Sequence, residues 1–437
     1  MRVLIVNTSE RTGGAAVAAH RLMEALNNYG VKAKMLVRDK QTDSLTVVGL
    51  RDKWHQQWCF LWERFVIWLH LHFRRRHLFE IDIANAGTDI TKLPEFREAD
   101  VVHLHWVNQG MLSLGGIRKI LRSGKPVVWT MHDLWPATAI CHYARDCRHY
   151  RTACGSCPLL RNGKKPKPLN DQSPKRPEKK DLSSRVWRRK WQLLDGQSVS
   201  YVACSKWLCG EARLSALLRG QKVVSIPNAI DTRVYCPADR RQARERVGLP
   251  TDRRLILFVS QRVTDQRKGM DFLIAAVRLM ADRYPDVKQQ VGIAVLGGHS
   301  DEIADRLPLA VYSLGYVSDE RRIVDIYRSV DVFVTPSLED NLPNTIMEAM
   351  ACGVPCVGFK VGGIPEEIDH QKNGYVAAYR DAEDLARGIQ WILQEADYEA
   401  LSKAAVSKVN RSYSQQAVAL KYTEVYNEAI ARKGYKL

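Results

Sequence analysis

Short runs rich in Val, Ile and Leu recur along the chain, with helical patterns between them, and this alternation constrains the fold more than any other feature. In the first half the strand-like runs are residues 3–6, 33–37, 101–104, 127–130, 199–203 and 223–226, and a helical pattern at 15–26 closes on Gly30. The order then restarts: strand 255–259, helix 270–284, strand 292–296, helix 319–329, strand 332–335, helix 344–351 and strand 355–358, with Asn373-Gly374 as a turn. Strands alternating with helices imply βαβ units and a parallel sheet. Two such series predict two doubly wound sheets, joined near 227–237, with a helical pattern from 414 to about 431 left over. Ligands of such sheets bind outside the carboxyl ends of the strands. Two sheets facing each other would form a cleft.

The length of 437 residues agrees with two domains, since single cores stop growing at roughly 250–300 residues. The net charge of +18 calls for an anionic partner: a membrane surface, a nucleic acid or a phosphorylated substrate. Residues 161–190 hold 12 Lys/Arg against 3 Asp/Glu, half of that excess. The start, MRVLIVNTSERTGG, reads as a first strand rather than a secretory leader. No apolar run reaches the ~18–20 residues that span a bilayer. Ten cysteines in such a chain predict a reducing, cytoplasmic setting, with thiols or metal ligands rather than a disulfide framework.

Three stretches carry candidate chemistry. In SQRVTDQRKGMDFLIAA a strand ends at Ser260 and a helix begins near Gly269, with Arg262 and Lys268 bracketing the turn. Two cations there can neutralise a diphosphate, one as a fork and one as a point charge; solvated surface charge is the ordinary alternative. In NTSERTGGAAVAAHRL, Gly13 and Gly14 lie between the first strand and first helix. They allow close backbone approach and leave helix-start amides for an anion, although GxGxxG is absent. In SLEDNLPNTIMEAMACGVPCVGF, Pro343 suits a first helical turn, and Asn344 and Thr345 place amides near its start. Glu348 lies too far along for a cap. Its carboxylate can accept both hydroxyls of a ribose, and Asp340, eight residues earlier, can accept those of a second sugar. Complementing the helix dipole is the plainer role for both acids.

Together these pieces suit a nucleotide diphosphate-sugar. The chain resembles family-four retaining glycosyltransferases of the GT-B fold over nearly its whole length. The resemblance rests on the Gly13-Gly14 loop, VVHLHW (101–106), TMHD (130–133), SIPNAID (225–231), Arg262 with Lys268-Gly269, the Asp340 and Glu348 pair, and VGGIPEEI (361–368), all in this order. HDLWPATAICHYARDC and NLPNTIMEA further resemble the subgroup building bacterial capsular, colanic-acid-type and other exopolysaccharides. The resemblance implies an acceptor-binding Rossmann-like domain at 1–228, a nucleotide-sugar-binding one at 229–413, and a helix at 414–437 crossing back to the first. It implies Arg262 and Lys268 on the diphosphate, Glu348 on ribose, Asp340 on the donor sugar, Gly13 and Gly14 near the phosphates and acceptor, His132 at the reacting face, and amides near Gly363 facing the donor. It implies no catalytic metal and a front-side reaction. One departure stands out: the family's first acid is usually Glu before Gly-aromatic-Gly, and here the frame gives Asp340-Asn341-Leu342-Pro343, with Glu339 one residue out of frame.

Two segments interrupt the first series. ICHYARDCRHYRTACGSCPLL, within the 132–180 insertion, spaces Cys141, Cys147, Cys154 and Cys157 by five, six and two residues. Four thiolates suit a structural zinc ion, with His142 or His149 as substitutes; reduced thiols in a packed loop or a redox pair are the alternatives. The other six cysteines (59, 204, 209, 236, 352, 356) read as core thiols. The 54–79 segment puts Trp54, Trp58, Leu61, Trp62, Phe65 and Leu69 on one helical stripe before Arg74-Arg75-Arg76. That pattern fits either a helix packed on its own domain or the interface of an anionic bilayer. KKPKP and KRPEKK, in the 161–190 run, read as a loop of solvated charge. An isoprenyl-diphosphate-linked acceptor at the inner face of the cytoplasmic membrane would suit both features. A nucleic-acid-binding protein would explain the charge but not the Arg262, Lys268 and Glu348 set, and no zinc-finger His spacing or RNA-binding aromatic signature is present. A sugar-nucleotide epimerase of the same fold and a non-catalytic sugar-binding subunit are the remaining classes.

Overall fold

The computed structural model describes residues 1–161 and 181–434; the KKPKP and KRPEKK stretches lie outside the described residues. The chain divides into two units: Met1–Ile226 together with the residues from Ala419 on, and Pro227–Val418.

The first unit carries β1 (Arg2–Ser9), β2 (Lys32–Asp39), β3 (Val47–Gly49), β4 (Val101–Leu104), β5 (Val127–Met131), β6 (Ser200–Ala203) and β7 (Lys222–Ser225). They form one parallel sheet in the order β3-β2-β1-β4-β5-β6-β7. The second unit carries β8 (Arg254–Arg262), β9 (Val291–Gly298), β10 (Ala310–Gly315), β11 (Val332–Thr335), β12 (Cys356–Phe359) and β13 (Gly374–Ala377). Their order is β10-β9-β8-β11-β12-β13, again parallel throughout. Strand order reverses beside β1 and beside β8, so each sheet has its switch point at its first strand.

Both faces of these sheets are covered, which is why the strands read as continuous apolar runs rather than alternating ones. In β8 the two-residue period still shows: Ile256 and Phe258 pack into one core, Leu255 and Leu257 into the other. Three strands escaped the sequence reading. The three-residue β3 is too short to show a period, β10 is only half-buried, and β13 starts at Gly374, inside the turn signal.

The last long helix, Gln415–Arg432, is anchored in the first unit by two tyrosines. Tyr426 Oη lies 2.8 Å from His103 Nδ1, and Tyr422 Oη 2.9 Å from Thr130 Oγ1. His103 Nε2 closes the set at 2.8 Å from Thr130 Oγ1.

Candidate active site

The candidate residues of the second unit gather at its switch point. β8 breaks register between Val259 and Arg262, an irregularity that re-aims the side chains at the end of a strand. Arg262 ends the strand exposed and makes no ion pair with a carboxylate of the described residues. The chain then folds into the one-turn helix Gln266–Lys268, whose start is capped by Asp265. Gly269 follows at φ +72°, with so little room that a Cβ would stand 1.9 Å from the Pro336 carbonyl oxygen beyond β11. That contact joins the ends of β8 and β11. It places Lys268 Nζ 2.6 Å from Asp340 Oδ2.

The Asp340 loop is held from its other side. Gly362 has φ +55°, and a Cβ there would lie 1.7 Å from the Asp340 carbonyl oxygen. The amide of Gly363 donates to the Asn341 carbonyl at 2.7 Å. Pro343 stands just before the helix Asn344–Ala351 rather than in its first turn, and no side chain caps that helix start. Asn344 Oδ1 accepts from Asn228 Nδ2 at 2.9 Å. Thr345 is half-buried in the first turn. Glu348 is buried one turn further on and accepts from the Tyr327 hydroxyl at 2.8 Å. The next acid motif supplies a second buried carboxyl. Burial pushes Glu367 well above the usual carboxylate range, reinforced by the Asp340 carboxylate.

In the first unit, Gly13 takes φ +91° and ψ 159° ahead of the helix Gly14–Asn28, which no side chain caps. A Cβ at Gly13 would meet nothing within 4 Å, so the backbone angle alone demands glycine. His132 lies at the end of β5, with Nε2 2.9 Å from Nδ1 of His105 at the end of β4. Loss of water holds His132 down to about 4, against the opposing pull of Asp133. His132 is therefore a neutral imidazole at physiological pH.

Behind it runs a buried charged chain. Asp133 Oδ2 accepts from Trp106 Nε1 at 3.0 Å and lies 2.7 Å from His142 Nδ1. His142 Nε2 lies 2.6 Å from Asp82 Oδ2, and Asp82 also pairs with Arg64. Burial alone would lower His142, but Asp133 and Asp82 together raise it to about 10. Glu63, beside Arg64, is pushed up to about 7 by burial and by Asp82. Sequence reading missed Asp82 and Tyr327, and took in His105 and Asp133 only as parts of VVHLHW and TMHD, with no role given to either. The His-Leu-His spacing of 103 and 105 does put both rings on one strand face; the partners of Asp82 and Tyr327 lie too far off in sequence to leave any signal.

All four insertion cysteines are reduced. Cys154 and Cys157 are raised by burial and by nearby thiols, Cys157 to about 12. In Cys147, hydrogen bonding from His149 outweighs the effect of burial and lowers it. Among the described residues no three His, Cys, Asp or Glu side chains are gathered as a metal-ligand set. Of the other six thiols, five are buried and Cys236 is half-buried.

Two doubly wound parallel sheets, each carrying polar and charged side chains at its switch point, define a protein of the GT-B class. Comparison with known proteins narrows this. The model for Glycosyltransferase Family 4 matches residues 12–234, and that for Glycosyl transferases group 1 matches 253–395. The chain belongs to Glycosyltransferase Family 4. It is 30% identical over 221 residues to D-inositol 3-phosphate glycosyltransferase 2 of Catenulispora acidiphila, covering 48% of this chain and 51% of that one. It is 28% identical over 224 residues to D-inositol 3-phosphate glycosyltransferase of Thermobispora bispora, covering 48% and 52%. The chain thus spans about half the length of the curated relatives it matches. In fold it is similar to sucrose-phosphate synthase from Thermosynechococcus elongatus (TM-score 0.64, 18% identity, 99% of each chain). Anabaena HepE in complex with UDP-glucose is similar too (TM-score 0.62, 17% identity, 98% of this chain and 100% of that one).

Proposed function

We propose that this protein is a retaining glycosyltransferase that moves a sugar from a nucleotide diphosphate-sugar to a saccharide acceptor. The observation carrying this reading is the convergence of Lys268 and Asp340 at one switch point, with Arg262 ending the same strand and Glu348 in the following helix. Cations suit the diphosphate, a buried carboxylate suits the ribose diol, and a loop acid suits the donor sugar. HepE, bound to UDP-glucose, makes that donor the first to test.

In the proposed step the bond from C1 to the β-phosphate oxygen breaks, and the acceptor oxygen bonds to C1 on the same face. The acceptor proton passes to the leaving phosphate oxygen. Arg262, Lys268 and the amides that start the Asn344–Ala351 helix stabilise the charge gained by the diphosphate, without a catalytic metal. His132, neutral, serves as a hydrogen-bonding group beside the donor sugar.

For the acceptor we propose an isoprenyl-diphosphate-linked saccharide in capsular, colanic-acid-type or other exopolysaccharide assembly, handled at the inner face of the cytoplasmic membrane. HDLWPATAICHYARDC and NLPNTIMEA support it. The names of the D-inositol 3-phosphate glycosyltransferase relatives favour a second reading, an inositol phosphate acceptor. A structural zinc ion on Cys141, Cys147, Cys154 and Cys157 is also proposed; the thiols are free and near enough to influence one another, but among the described residues they are not gathered as a ligand set, so binding would require them to draw together. Metal analysis of protein purified without chelator checks it, and a zinc content near zero removes it.

The direct test is a panel of nucleotide sugars, scored first by thermal shift. A ligand at 100 times its dissociation constant stabilises by about 2.7 kcal/mol. Transfer to the two acceptor classes is then measured, with product anomers read by NMR. Stabilisation by one donor and a product of retained configuration are expected. No stabilisation and no transfer across the panel would sink the reading.

A further inference from the structure

The helix Lys53–His70 is inside out. Its buried positions are Gln56, Cys59, Glu63, Arg64 and Ile67, three of them polar or charged. Trp54 (89% exposed), Trp58 (56%), Leu61, Trp62 (42%), Phe65 and Leu69 face solvent. These positions recur at the spacing of one helical stripe, and the rings touch along it. Trp58 and Trp62 stack at 5.8 Å, and Trp62 and Phe65 meet at 6.0 Å. Phe73 (62%) and Phe79 (61%) extend the patch beyond the helix end. At about 150–250 Å² per aromatic side chain, the exposed apolar area is on the order of 500 Å² or more, at the upper end for a monomer surface.

The inversion has a physical cause. Glu63 accepts the amides of Ile83 and Ala84 at 2.8 and 2.6 Å, and Arg64 reaches the Leu78 carbonyl at 2.6 Å as well as Asp82. Glu63 and Arg64 are turned inside to fasten the 78–84 segment, so the aromatic face is left without a partner among the described residues.

Charge decides what the face suits. Between Lys53 and Phe79 no exposed residue is acidic, because Glu63 is buried. Arg74, Arg75 and Arg76 are all exposed, and none meets a carboxylate among the described residues. Tryptophans beside a cluster of arginines match the headgroup level of an anionic bilayer, where the rings sit amphipathically and the guanidiniums meet phosphate. No helix of the described residues is long and apolar enough to cross a membrane. The geometry points to an interfacial one: we infer that the Lys53–His70 helix lies flat on an anionic lipid surface, with its Trp stripe inserted and Arg74–Arg76 on the headgroups.

Cosedimentation of the full chain with phosphatidylcholine vesicles, with and without phosphatidylglycerol, at low and high salt, tests this. Donor and acceptor are not needed, so its outcome is independent of the transferase reading. Wild type should pellet with the phosphatidylglycerol vesicles and be released by salt. W58Q/W62Q/F65Q should abolish pelleting. R74Q/R75Q/R76Q should lose about fivefold in partitioning per arginine. Circular dichroism should match wild type for both variants, since the substituted side chains are exposed. Wild type left in the supernatant at low salt overturns the inference. So does pelleting unchanged in both variants. A wild-type dimer in vesicle-free sedimentation that W58Q/W62Q/F65Q converts to monomer, with no lipid binding by either, also overturns it and makes the face a contact between copies.

Discussion

The Lys268 ammonium rests 2.6 Å from the Asp340 carboxylate, across the switch point between β8 and β11. The two were expected to serve different parts of the donor, the diphosphate and the sugar. Their pairing means that each orients the other. The pair is part-exposed, at 31% and 14% of the side chains, so it adds only ~0–1 kcal/mol to stability. Lys268→Met should therefore lower kcat by about 10²–10³-fold, as loss of a charge-stabilising donor does, with a nearly unchanged Tm. Asp340→Asn should weaken use of nucleotide sugars more than binding of the nucleotide diphosphate. Steady-state kinetics beside calorimetry of the two ligands separates these effects.

The Tyr327 hydroxyl donates to Glu348 at 2.8 Å inside the core. Tyr327→Phe removes that donor and should weaken nucleotide binding by about 0.5–1.5 kcal/mol. Glu348→Gln should weaken it further. Neither change should alter affinity for inorganic pyrophosphate, which has no ribose. Equal losses for pyrophosphate and nucleotide would count against the ribose assignment.

Gly362 and Gly13 both need glycine, for different reasons. At Gly362 a Cβ would stand 1.7 Å from the Asp340 carbonyl oxygen, whereas at Gly13 only the backbone angles object. Gly362→Ala must push the Asp340 loop aside, so transfer should fall by at least about tenfold, in keeping with the sensitivity of positioned groups to small displacements. Gly13→Ala should destabilise by about 1–3 kcal/mol. Unfolding curves and transfer rates on the two variants make the comparison.

His142 is raised to about 10 between Asp133 and Asp82. A histidine whose folded value exceeds its unfolded one stabilises fully below the unfolded value, near 6.5, and the stabilisation is lost as pH rises through the folded value. Stability should therefore decline between about pH 6.5 and 10, a slope that His142→Asn should flatten. His142→Ala should cost about 3–5 kcal/mol at neutral pH, because it removes the buried cation that bridges Asp133 and Asp82 and leaves Asp133 with neutral donors only. Denaturant melts across that window measure both.

The alternation of apolar runs and helical patterns was enough to read two doubly wound parallel sheets, because burial on both faces leaves a Val/Ile/Leu-rich signature in most of the strands, though not in β3, β10 or β13. The positions of the charged residues after the strands were legible too: Arg262, Lys268 and Asp340 stand at or beyond the ends of β8 and β11, and Glu348 lies in the helix that follows. The partners were not. Lys268 meets Asp340 across 72 residues, His103 meets Tyr426 across 323, and His142 meets Asp82 across 60. Local periodicity is silent about such pairs; strand order and the glycine contacts that clamp one loop to the next bring them together. The Trp-rich helix is the sharpest instance. The stripe could be read from spacing alone, but which side faces outward was settled only by where Glu63 and Arg64 find their hydrogen bonds, and that depends on the tertiary position of residues 78–84.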